Sequence, residues 1–257
     1  MAAEGAGTPA TTLEFGAGIA RCRLECHGRG NALSVELVRG VADALAQACA
    51  RTDVHTLLLH GAGRHFCTGF DLASLPQETD ASLLARFVEI ELLLDALWRA
   101  PVRTVAVGHG AIVGAGADLF AACDVRMLAS SASLRFPGAG FGIVLGTRRL
   151  ACRVGPFRAL RWVSEGTQVP AAEALATGLA TAITEMGPEN DAHVDAALAL
   201  LGDLGVARET FSALRATTDD GAADADLAAL VRSATRPGLK ARIEAYATRT
   251  AARRGAK

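Results

Sequence analysis

The run from Thr104 to Cys123 is the longest apolar stretch of the chain, and His109, Asp118 and four glycines (Gly108, Gly110, Gly114, Gly116) interrupt it. A bilayer-spanning helix needs about 20 predominantly apolar residues with little charge and few breaks, so no membrane span is expected. Glycine placed between an apolar strand and an apolar helix instead lets the backbone turn sharply and lets another group approach it closely. The stretch therefore reads as a buried strand handing over to a buried helix.

The rest of the chain repeats that alternation. Thr12–Phe15 and Ile19–Glu25 read as two strands joined at Gly16-Ala17-Gly18. Ser34 suits the cap of a helix whose Val38, Val41, Leu45 and Ala48 recur on one face and which ends near Arg51. Further strands are expected at Thr56–Leu59, Arg103–Val107, Asp124–Leu128 and Thr181–Thr184, separated by helices near 81–99, 115–123, 156–165 and 170–177. Such alternation predicts an α/β fold with a mostly parallel sheet. Beyond residue 186 the texture becomes Ala/Leu/Arg-rich, with helices expected over 190–204, 206–217, 222–234 and 237–254. The organisation expected is a mobile N-terminus over 1–11, a core over 12–185 and a helical region over 186–257, with the tail after Arg249 also mobile.

Composition narrows the function. The 257 residues are 51% hydrophobic and 21% charged, which suits one large core and excludes wholly disordered or collagen-like chains. With 26 Lys+Arg against 27 Asp+Glu the net charge is -1, so no basic field points to nucleic acid. No cationic side chain precedes Arg21 and no apolar leader-like run accompanies it, so a cytoplasmic location is expected. The six cysteines form no CxxC pair and no Cys/His ligand spacing, so neither disulfides nor a metal site is expected.

Two glycine-bearing segments stand where strands pass into helices: Arg64 to Leu72 and His109 to Asp118. Each can expose backbone N–H groups, and two such donors converging on one oxygen make an oxyanion hole. Either segment alone could equally serve close helix-on-sheet packing. A dinucleotide fingerprint of the GxGxxG type is not present in the first strand-to-helix turn.

Taken in order, Asn31-Ala32-Leu33-Ser34, Leu57–Gly61 with Phe66-Cys67-Thr68-Gly69-Phe70-Asp71-Leu72, Val107–Asp124, Phe136-Pro137 with Gly142 and Arg149-Leu150, and Ala171–Ala180 resemble the enoyl-CoA hydratase/isomerase (crotonase) superfamily. The resemblance covers roughly residues 12–185. It implies crotonase-like repeated ββα units forming two stacked sheets, followed by helices that trimerise, as a homotrimer or homohexamer. It also implies an acyl-CoA substrate, with coenzyme A as part of that substrate and no separate cofactor. The thioester carbonyl would lie between the N–H groups of Phe70 and Ala115, with Cys67, Thr68, Asp71 and Leu72 along the coenzyme and Arg29 near its phosphates.

The acids depart from the family pattern. Asp118 matches the first catalytic carboxylate, while the second position falls at Gly138, which has no side chain. Asp118 could alternatively be a charge at the positive end of a helix. Glu89, Glu91, Asp95 and Arg135 read as solvated or structural charges. The expected function is acyl-CoA chemistry of enoyl-CoA hydratase/isomerase type through an enolate-like oxyanion. The alternatives are a thioester hydrolase or decarboxylase of the same fold, or a catalytically weak acyl-CoA binding protein.

Overall fold

The computed structural model describes residues 9–184, 192–219 and 221–255. Strands β1 (Thr11–Gly16) and β2 (Ile19–Leu24) form an antiparallel hairpin whose register runs from Thr11 opposite Leu24 to Gly16 opposite Ile19. Ala17 and Gly18 close it with φ of 49° and 75°, the paired positive angles that match a tight turn to the twist of the strands. On β2, Ala20, Cys22 and Leu24 are buried and the alternate residues are partly exposed, so one face of the strand enters the core.

Helix α1 (Val35–Ala50) follows, its first turn capped by the Ser34 hydroxyl accepting from Leu37 N–H; Leu37, Val38, Val41, Ala44, Leu45 and Ala48 form its buried face. Strand β3 (Thr56–Gly61), helix α2 (Asp80–Trp98) and strand β4 (Arg103–Gly108) come next, and every residue of β3 and β4 is buried. Strands covered on both faces read as unbroken apolar runs. After β5 (Ala111–Val113), α3 (Ala115–Ala122), β6 (Val125–Ala129) and β7 (Ser133–Arg135), the chain forms α4 (Thr147–Val154), α5 (Pro156–Glu165), β8 (Gln168–Pro170), α6 (Ala171–Ala176) and β9 (Ala182–Thr184). The larger sheet has the order β1-β2-β3-β4-β6-β9 and is parallel from β2 onward; the smaller has the order β5-β7-β8, with β7 and β8 antiparallel.

The α/β expectation holds, but sequence periodicity missed the smaller sheet and α4. Each strand of that sheet is three residues long with a single buried residue, Ile112, Leu134 or Val169. Three residues are too few to display a period.

The C-terminal helices are α7 (Ala192–Leu201), α8 (Arg208–Thr218), α9 (Ala223–Ala234) and α10 (Leu239–Gly255). Val194 and Ala197 of α7 pack against Leu58, Val105, Val107 and Met127 of the larger sheet. Leu230, Ala234, Leu239 and Ile243 of α9 and α10 cluster with Leu83 and Phe87 of α2 and with Ile143. Asp80 fixes this arrangement by accepting from the N–H groups of Gly238, Leu239 and Lys240 at 3.1, 3.1 and 2.8 Å. One boundary expectation changes: Thr11, assigned to a mobile terminus, is paired in β1. The helix expected over 237–254 is α10, which ends at Gly255. Residues 1–8 and the boundary at 186 lie outside the described residues.

Candidate active site

The segment from Cys67 to Asp71 runs between α1 and β5. Leu33 N–H donates to Gly69 O at 2.7 Å, and Asp71 N–H donates to Leu33 O at 3.3 Å. These two bonds straddle Phe70. Since successive residues of an extended chain direct their peptide groups to opposite sides, Phe70 N–H points away from Leu33, toward β5 and α3. Gly69 permits the close approach there: its φ is 96°, and a Cβ on it would lie 2.5 Å from Val113 O and 3.5 Å from Ala115 N. Ala115 is the first residue of α3, where helical N–H groups have no intrahelical acceptor. Ala117 and Asp118 donate to Gly114 O, at 2.7 and 3.0 Å, whereas neither Phe70 N–H nor Ala115 N–H enters a backbone hydrogen bond among the described residues.

Phe70 is held from α2. Its ring stacks on Phe87 at 4.4 Å between centroids with 17° between planes, and the Arg86 guanidinium lies 4.1 Å from its centroid. Arg86 also donates to Asp71 O at 3.0 Å and to Glu78 at 2.8 Å. The buried guanidinium thus ties down the whole 70–78 loop, which spacing alone did not reveal.

Phe70, Ala115, Asp118 and Gly138 share one cavity of about 300 Å³. Phe87, Phe141, Ile143 and Leu145 give it apolar walls, and Ile243, Tyr246 and Thr250 of α10 form a further side. Asp118 lies three residues after Ala115 and is 7% exposed. Burial pushes its pKa well above the usual carboxylate value; the nearby Glu91 charge adds to that rise and Arg149 opposes it. Gly146 packs directly on the carboxyl, where a Cβ would fall 2.3 Å from Asp118 Oδ1.

Of the other residues expected at the site, Thr68 and Leu72 line this cavity, while Arg29, Cys67 and Asp71 do not. Arg29 and Asp71 form an ion pair at 2.7 Å outside it, next to Thr68, whose hydroxyl donates to Arg29 O at 3.3 Å. Cys67 is fully buried beneath α3, where its Sγ would be 2.7 Å from a Cβ on Gly116. Of the two readings, solvated or structural, Glu91 takes the structural one: it is 2% exposed and accepts from Arg149 at 2.7 Å. Its place in the Phe87-Ile90-Glu91-Leu94 stripe was the available signal, because an acid at a buried helical position demands a partner.

The fold places small residues at a strand-to-helix junction over a largely apolar cavity that holds a buried acid. The family model for enoyl-CoA hydratase/isomerase matches residues 14–235, and the chain belongs to that family. A Bacillus subtilis protein named as a probable enoyl-CoA hydratase is 33% identical over 170 residues, 64% of each chain, so the match spans just under two thirds of that relative. A Mycobacterium bovis protein with the same description is 33% identical over 198 residues, 76% of each chain. The fold is that of a Bordetella parapertussis crystal structure classed as an enoyl-CoA hydratase/isomerase, with a TM-score of 0.86 and 37% identity over 93% of this chain and 98% of the other.

Proposed function

We propose that the chain binds an acyl-CoA thioester with its carbonyl oxygen between Phe70 N–H and Ala115 N–H, and that Asp118 transfers a proton at the neighbouring carbon. The observation that carries this reading is the shared cavity lining of Phe70, Ala115 and Asp118. Removing a proton next to a thioester carbonyl produces an enolate, whose charge collects on the oxygen. Two preorganised N–H donors aimed at that oxygen lower the barrier, by about 3–4 kcal/mol for an essential donor. A carboxyl whose pKa is raised by burial is better matched than an ordinary one to accept and return a proton near neutral pH.

Asp118 is the one carboxylate among the described residues lining the cavity, which supports single-acid proton transfer as the basic step. Thr68, Leu72 and, just outside, Arg29 and Asp71 are proposed to lie along the coenzyme. No nicotinamide or metal is required by this chemistry. Assembly as a trimer or hexamer is proposed as well; Phe157 and Leu160, 89% and 65% exposed one turn apart on α5, support burial against a second copy.

The test is exchange of the acyl α-proton with deuterated water, followed by NMR on butanoyl-CoA with and without the protein. Catalysed exchange together with calorimetric binding supports the reading, and binding without exchange reduces the protein to an acyl-CoA binder.

A further inference from the structure

The cavity is apolar along most of its wall, yet Arg135 lines it. This arginine is half-buried at the end of β7, with Nε donating to Gly166 O at 3.1 Å and Nη2 donating to Tyr246 Oη at 3.3 Å. No carboxylate among the described residues forms an ion pair with it, although Glu165 borders the adjoining cleft. That outer cleft, about 470 Å³, shares Arg135, Tyr246 and Thr250 with the inner cavity and adds Arg249 and Arg253. The bonds to Gly166 and Tyr246 use only part of the guanidinium's set of N–H donors, and the remainder face the cavities with no anionic partner among the described residues, which a hydrocarbon chain would leave unused.

We propose that the preferred substrates are CoA thioesters of short acyl chains that end in a carboxylate, which Arg135 and Tyr246 receive; this rests on the thioester lying between Phe70 and Ala115. The backbone sets the chain length. Gly114 N–H donates to Arg135 O at 2.8 Å, so Arg135 starts beside the residue that precedes Ala115, and its guanidinium is one side chain away from the N–H pair. Thr68 and Leu72, along which the coenzyme is proposed to lie, are absent from the outer cleft. The acyl end is therefore the part of the substrate that faces Arg135. Tyr246, whose oxygen already accepts from Arg135, keeps its hydroxyl proton for the ligand, and an arginine fork suits a planar carboxylate.

Calorimetry with glutaryl-CoA and pentanoyl-CoA, equal in carbon number and different in the terminal carboxylate, tests this without depending on turnover. The unsubstituted protein is expected to bind glutaryl-CoA about tenfold or more tightly, as charge-assisted hydrogen bonds allow. In Arg135→Gln the ratio of the two Kd values is expected to fall to about one, and in Arg135→Lys to lie between. Equal affinities in the unsubstituted protein overturn the proposal while leaving the thioester site intact. A loss in Arg135→Gln that is equal for both ligands also overturns it, because it places Arg135 against the shared coenzyme. Binding of neither thioester overturns both this proposal and the function on which it rests.

Discussion

Arg149 Nη2 donates to Glu91 Oε1 at 2.7 Å, and the two side chains are 1% and 2% exposed. The guanidinium also faces Asp95 at 3.5 Å and Asp226 at 3.6 Å, two partly buried acids that pair with Arg99 and Arg148 as well, so the pair sits in a charged network beside Asp118. Truncating one partner of such a pair strands a charge in the core, whereas replacing both with apolar groups can be nearly neutral. Arg149→Leu is expected to lose about 3–5 kcal/mol in urea denaturation, and Arg149→Leu combined with Glu91→Leu is expected to recover part of it. A single variant as stable as the parent would mean that the pair does not join α2 to α4.

Asp118 makes stability depend on pH in a direction opposite to that of a salt-bridged acid. Its folded pKa lies above the unfolded value, so the folded chain holds the proton more tightly. That contribution is fully present below the unfolded pKa and is lost as pH rises through the folded pKa. Asp118→Asn removes it. The variant is therefore expected to gain stability relative to the parent as pH is raised from 4 to 8, measured as a growing difference in Tm. A difference that is flat with pH would mean that Asp118 is not held protonated by burial.

The thiols report where Cys67 lies. Burial pushes Cys22, Cys67 and Cys123 up to about 12, while Cys152 is exposed. Thiolate is the reactive form, so iodoacetamide at pH 8 is expected to label Cys152 and to leave those three untouched until the chain is denatured. Mass-spectrometric labelling of Cys67 in the folded protein would instead put its side chain within reach of ligand.

Much of this arrangement was legible in the residues before any coordinates. The alternation of apolar runs predicted the larger sheet, and the ordered motifs brought Phe70 together with Ala115 and Asp118, from which it is distant in the chain. Arg86, Glu91 and Arg149 were not legible in the same way, because a charge on a helix is normally solvated. Their burial depends on loops and on α4, which fold against α2 from more than 50 residues away in the case of Arg149. Arg135 reads in the sequence as a solvated or structural charge, and only the smaller sheet reveals that it lies next to Gly114.

Gly138 stands where the family resemblance implies a second acid, and its geometry leaves room for one. Its φ is not in the left-handed region, and an added Cβ would meet only Ile143 O at 3.4 Å. Gly138→Glu is therefore expected to fold, with Tm little changed, and to raise the rate of water addition to crotonyl-CoA by about tenfold or more, short of the full range attributed to general acid–base groups. A folded Gly138→Glu variant with no gain in hydration would show that its carboxylate does not reach the reacting carbon.

Asp118 is proposed to move the proton while the backbone pair holds the oxyanion, and Asp118→Asn separates the two roles. The most direct measurement is the α-proton exchange rate of butanoyl-CoA in the folded variant, taken together with Kd from calorimetry. Exchange is expected to fall by about 10²–10⁴-fold, the usual contribution of a general acid or base, with Kd within a few-fold of the parent. Exchange at the parent rate in a variant that is folded and binds the thioester would contradict it.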